Sequence, residues 1–238
     1  MRPFLTAQWR CLAMVNFEID PAVLRPFVPV GTELDCWRGR AFVSVVGFLF
    51  VDTRVWGCPI PYHRDFEEVN LRFYVRRRAE EGWRRAVVFV KEIVPRAAIA
   101  LSARWLYGEN YVALPMRHQV EDGPGTRTVS YSWWLQHHEH RLEMSVSGES
   151  RDVVVGREEE FITEHYWGYV RGKRGTTTEY RVAHPRWRVR SATAAQFTGN
   201  VAALYGNEFV EPLAGPPTSA FLAEGSEVAV FKGVNVNR

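Results

Sequence analysis

Between Phe66 and Arg78 the chain reads FEEVNLRFYVRRR, and Val69, Leu71, Phe73 and Val75 alternate with Glu68, Asn70, Arg72 and Tyr74. Alternation with period two over this length predicts a β-strand with one apolar face. The other face carries a carboxylate, an amide, a guanidinium and a phenol in a row. Either water covers that face or a polar cavity does. The choice decides whether the protein has a chemical site.

The same alternation recurs along the chain. Trp9, Cys11, Ala13, Val15, Phe17 and Ile19 fall on one face of a strand, with Arg10 and Asn16 opposite. Asp20 followed by Pro21 predicts a capped short helix to about Phe27. Thr32–Trp37 and Arg40–Asp52 read as strands joined at Arg38-Gly39, the second apolar on both faces and therefore central. A loop from Thr53 to Asp65 precedes the Phe66 strand, which turns near Glu81-Gly82 and returns as Ala86–Val94. Ala97–Tyr107 is apolar nearly all round and predicts a buried helix stopped by Gly108. Tyr111–Val120, Thr126–Leu135 and Arg141–Ser147 continue as strands. GREEEFITEHYWGYV reads as a helix, Glu179–Arg190 as a strand interrupted at Pro185, Ala194–Tyr205 as a short helix and Glu227–Val234 as a last strand.

Many strands and few short helices, with no repeat and no break in composition, predict one α+β domain over residues 1–238, mainly antiparallel and barrel-like. The length of 238 residues and a hydrophobic content of 46% support an ordinary core. A net charge of +3 gives no reason to expect nucleic acid or a membrane surface as partner. Cys11, Cys36 and Cys58 form no CxxC pair or ladder, which suits reduced, packed thiols in a cytoplasmic protein. The N-terminus has no apolar signal region, and no run approaches the roughly 18 apolar residues that span a bilayer. The basic residues are nearly all arginine; Lys91, Lys173 and Lys232 are the lysines, leaving few amines for Schiff-base chemistry.

The blocks FEIDPAVLRPFVP, IPYHRDFEEVNLRFYV, AIALSARWLYGENY and EEFITEHYWGYV resemble the YqjF-like family of uncharacterised bacterial proteins, over almost the whole chain. That family is similar in fold to acetoacetate decarboxylase. The resemblance implies a closed or nearly closed β-cone with an internal pocket, and it admits a homo-oligomer. The decarboxylase forms a Schiff base between a lysine and a β-keto acid, with the lysine pKa lowered by its surroundings. By the same resemblance Arg10, ten residues before Asp20, stands where the decarboxylase has an arginine, and Glu68 is the nearest match to its pocket glutamate. Its lysine follows a helix ending in a GRE-x-x-x-x-P-K-K pattern. The comparable stretch is RWLYGENYV, Arg104 to Val112, and Tyr111 falls at the nucleophile's place. A phenol forms no iminium with a ketone, so the decarboxylase's electron sink is missing.

The candidate site is therefore Glu68 and Tyr111 as acid-base groups, with Arg10, Asn70, Arg72 and Arg104 binding a small, anionic ligand, a carboxylate or keto acid. No metal or cofactor is expected. An acid-base lyase, hydratase or isomerase would suit those groups. Two alternatives remain: a decarboxylase or aldolase using Lys91 in VVFVKEIV, and a ligand-binding or interaction module without catalysis. Lys91 lies near a strand end, where its stem packs while the amine reaches water. His137-His138-Glu139-His140 fits a solvated hairpin tip better than a metal site, because it matches no ligand spacing. His165, with Tyr166 and Trp167, is expected to pack a helix.

Overall fold

In the computed structural model, residues 2–97, 110–172 and 175–236 are described. In chain order the strands are β1 (Leu5–Ile19), β2 (Glu33–Leu34), β3 (Ala41–Val55), β4 (Cys58–Pro59), β5 (Phe66–Ala79), β6 (Gly82–Val94), β7 (Tyr111–Ala113) and β8 (Met116–Gly123). The second half adds β9 (Thr126–Leu135), β10 (His138–Ser147), β11 (Arg151–Asp152), β12 (Trp167–Arg171), β13 (Thr177–Ala183), β14 (Arg188–Thr198), β15 (Ser219–Val230) and β16 (Val234–Asn235). Short helices cover Pro21–Leu24, Glu158–Thr163, Val201–Tyr205 and Val210–Ala214. Among the described residues the pairings are antiparallel except those of β6 with β7 and β12, so the expected α+β, mainly antiparallel class holds.

The hydrogen-bonded path runs β13-β12-β6-β5-β3-β1-β15, and β15 then pairs back to β13 at Val182↔Val230 and Ala183↔Ala229. These seven strands surround one interior space. From β15 the path continues through β14, β10 and β9 to β8. This second layer packs Tyr131, Trp133, Leu142 and Met144 into one core with Val43, Val45, Val69 and Leu71. Gly47 makes the close approach of the layers feasible, because a Cβ there would lie 2.5 Å from the Tyr131 ring.

As expected for a strand apolar on both faces, β3 is central, between β1 and β5. The Asp20 side chain accepts a hydrogen bond from Ala22 N at 2.8 Å, capping the helix that starts at Pro21. Several boundaries differ from the pattern. The helix in GREEEFITEHYWGYV ends at Thr163, where Glu164 leaves helical geometry (φ −87, ψ 62), and Trp167–Arg171 pairs as a strand with β13 and β6. Ala194–Thr198 continues β14 against β10, and the helix begins only at Val201, capped by the Asn200 side chain. Leu114-Pro115 splits the Tyr111 strand, and the last long strand begins at Ser219 rather than Glu227. The predicted helix Ala97–Tyr107 lies outside the described residues, apart from Ala97. Cys36 and Cys58 are exposed thiols and not packed ones. His140 leaves the solvated tip: it is buried, its ring stacked 5.8 Å from that of Trp133.

Three irregularities shift which residues face the interior space. Cys11 in β1 has φ 53, and the pairing with β3 slips between Arg10 and Ala13. Trp9 and Leu12 consequently share the interior side, while Ala13, Val15, Phe17 and Ile19 join the other core. Opposite the bulge, Gly225 has φ 81, and a Cβ there would meet Trp9 O at 2.0 Å. Asp52 in β3 has φ 51 and resets that strand in the same way. In β6 the register slips between Leu71↔Lys91 and Arg72↔Phe89. Bulges of this kind re-aim side chains, often beside functional sites.

Candidate functional site

The strand β5 is buried on both faces from Phe66 to Val75. Val69, Leu71, Phe73 and Val75 belong to the packed core. Glu68, Asn70 and Arg72 line a cavity of about 240 Å³ on the opposite face. They are only 2%, 2% and 8% exposed, so a hollow and not bulk water covers the polar row. Cross-strand neighbours frame it: Phe48 beside Glu68, Val46 and Glu92 beside Asn70, Ser44 and Phe89 beside Arg72.

Glu68 accepts hydrogen bonds from Asn70 Nδ2 (3.0 Å) and from Tyr111 Oη (3.3 Å). Burial pushes its carboxyl up to about 7, against the opposing pull of those two donors and the Arg72 charge. Burial, followed by the Glu68 and Glu92 carboxylates, raises the Tyr111 phenol well above its ordinary range. Tyr111 is thus a donor and not a base.

Arg72 donates to Ile162 O (3.3 Å), approaches Met14 Sδ (3.9 Å) and sits 5.7 Å from the Tyr74 ring centroid. Among the described residues no carboxylate lies within ion-pair distance of it, and its Nε has no hydrogen-bond partner. A buried guanidinium left so is unusual, because burying a charge without a partner is unfavourable. Beyond it stands His165, its ring 4.7 Å from that of Tyr74 and its Nε2 3.9 Å from Asp35 Oδ2. That separation is too long for a hydrogen bond. Burial drives the His165 pKa down to about 4, partly offset by Asp35, which Arg85 holds at 2.7 Å. The hollow therefore favours the uncharged forms of both the acid and the imidazole.

The sequence candidates separate cleanly. Glu68, Asn70, Arg72 and Tyr111 come together at the cavity. Arg10 does not: it is exposed, bonds Gln8 Oε1 at 2.6 Å, and is turned away from the interior side that Trp9 occupies. The placement expected for Arg10 is corrected on that ground. Arg104 lies outside the described residues. Lys91 is half-buried on the packed face with its Nζ against Leu204 O, and burial lowers its pKa. Straight alternation from Val87 and Phe89 would have aimed it into the cavity; the β6 bulge turns Lys91 away and Glu92 inward. Among the described residues no lysine lines the cavity.

Sequence reading missed Glu92, 2% exposed, and took His165 for helix packing. The signal for Glu92 was its place beside Asn70, which only the register reveals. His165 carried a weaker signal, as a polar residue two positions past a helix end. Among the described residues no group of three or more His, Cys, Asp or Glu side chains is placed to hold a metal ion, and no helix is long and apolar enough to cross a membrane.

The fold matches solved structures over its full extent. The enduracididine biosynthesis enzyme MppR complexed with pyruvate superposes with a TM-score of 0.68 at 15% identity, covering 99% of this chain and 91% of that one. The acetoacetate decarboxylase of Legionella pneumophila gives 0.67 at 12% identity, covering 98% and 87%. The protein thus has the acetoacetate decarboxylase-like fold. Residues 6–227 match DUF2071, an uncharacterized conserved protein family, and the chain belongs to that family. The uncharacterized protein YqjF of Bacillus subtilis (strain 168) is 35% identical over 75 residues, a stretch spanning 31% of this chain and 31% of that protein.

Proposed function

We propose that the cavity binds a small-molecule carboxylate, an oxo acid by preference, without covalent attachment to a lysine. The observation that carries this reading is Arg72, a buried guanidinium facing a hollow with no acidic partner among the described residues. A ligand carboxylate would supply the missing charge in a bidentate geometry that guanidinium favours. Glu68, protonated below about pH 7, and Tyr111 are donors for a ligand carbonyl or hydroxyl. Glu68 pushed up to about 7 is also suited to move a proton at that oxygen or at the adjacent carbon. Acid-base lyase, hydratase or isomerase chemistry would draw on these groups. The pyruvate held by the MppR structure supports the ligand class, as a property of that protein.

Calorimetric titration with oxo acids tests the reading. Arg72→Met should weaken binding at least about tenfold, the loss expected from removing a charge-assisted pair. Glu68→Gln should weaken it less, because an amide still donates. Equal binding by the wild type and both variants would remove the assignment.

A further inference from the structure

The polar row is a short part of the cavity wall, and most of the remainder is hydrocarbon. Along β3 the inward positions are Val46, Phe48 and Phe50, followed after the Asp52 irregularity by Thr53 and Val55. Val46 and Phe48 stand beside Asn70 and Glu68, so the inward-facing line leads away from the polar row toward Val55. At roughly 3.3 Å per residue, the stretch from Phe48 to Val55 is about 23 Å long. An aromatic cage surrounds its near half. Trp9 lies 5.1 Å from Phe48, 5.7 Å from Phe50 and 6.1 Å from Trp187, and Phe50 stacks on Phe66 at 4.6 Å.

The geometry points to a carboxylate bearing a large apolar tail, an aryl- or long-alkyl-substituted oxo acid, as the ligand class. This deepens the carboxylate reading above and rests on it. Size and wall chemistry agree. A cavity of about 150 Å³ lined by aliphatic and aromatic groups accepts benzene. The cavity here measures about 240 Å³, room for a ring together with a three-carbon acid head. A pyruvate-sized ligand at Arg72 would leave the Trp9, Phe48 and Phe50 surfaces uncovered. Each methylene buried there should tighten binding about fourfold.

The experiment is a calorimetric series with pyruvate, phenylpyruvate, 2-oxooctanoate and octanamide. Phenylpyruvate and 2-oxooctanoate should bind at least about 30-fold tighter than pyruvate. Phe48→Ala should lower the affinity for both by about tenfold. Equal affinity for all three acids overturns the inference while the carboxylate reading survives. Octanamide binding as tightly as 2-oxooctanoate overturns the carboxylate reading instead. If none of the acids binds, both fall.

Discussion

The two faces of β5 are equally buried and chemically opposite. One presents Val69, Leu71, Phe73 and Val75 to the layer formed by β9 and β10, and each is 0% exposed in a filled core. The other presents Glu68, Asn70 and Arg72 to a hollow. Burial therefore serves two ends along one strand. On the packed face it contributes stability through apolar area and close contact. On the cavity face it works against stability, since each buried polar group has surrendered water for few partners. On the proposed reading, that face serves a ligand rather than folding.

The sharpest way to break this contrast is to exchange the penalties. Leu71→Ala should cost about 2–5 kcal/mol in denaturant unfolding, by deleting packed methyl groups and leaving a void. Its affinity for an oxo acid should stay within about twofold of the wild type, because Leu71 does not line the cavity. Arg72→Met reverses the pattern. Stability should be retained or raised, since a buried charge with no carboxylate partner among the described residues is replaced by an apolar chain. If Arg72→Met unfolds the protein more severely than Leu71→Ala, Arg72 is structural.

A smaller effect sharpens the electrostatic half of the comparison. The folded protein holds the Glu68 proton more tightly than the unfolded chain does, with the pKa raised from 4.5 to about 7. Folding is therefore favoured below that interval, and stability declines as pH rises through it toward neutrality. His165 acts in the opposite sense. Its pKa falls from 6.5 to about 4, so stability is lost as pH drops through that interval. The two slopes oppose one another between roughly pH 4.5 and 6.5. Glu68→Gln removes one of them, and its unfolding temperature should climb with pH from 4 to 6.5 and then hold. The wild type should show a flatter acid limb and a decline toward pH 7. Parallel profiles for the two proteins would show that Glu68 ionises normally.

The alternation of β5 was readable directly, since strand geometry and side-chain direction share a period of two. So were the central place of β3 and the Asp20-capped helix, where local chemistry and tertiary packing agree. The limits came from the bulges. At Cys11 and Val90-Lys91, one added residue turns every later side chain to the other face. Straight alternation cannot register that change, so Trp9 was grouped with the wrong core and Glu92 was overlooked. Arg10 was expected in the pocket because the resemblance to the decarboxylase matches it by its distance from Asp20, yet distance along a strand does not fix direction across a bulge. Trp167–Arg171 and Ala194–Thr198, read as parts of helices, form strands paired with β13 and β10; in Ala194–Thr198 the pairing outweighs local propensity.

The most direct test follows the carbonyl carbon of phenylpyruvate, labelled with carbon-13, by NMR in the presence of the protein. The wild type should shift and broaden the resonance while leaving it a ketone or enol carbon, the Lys91→Met protein should do the same, and Arg72→Met should leave the free-ligand signal. A resonance at an imine position, trapped by borohydride on a lysine, or an undisturbed signal with the wild type, would contradict a lysine-free carboxylate site.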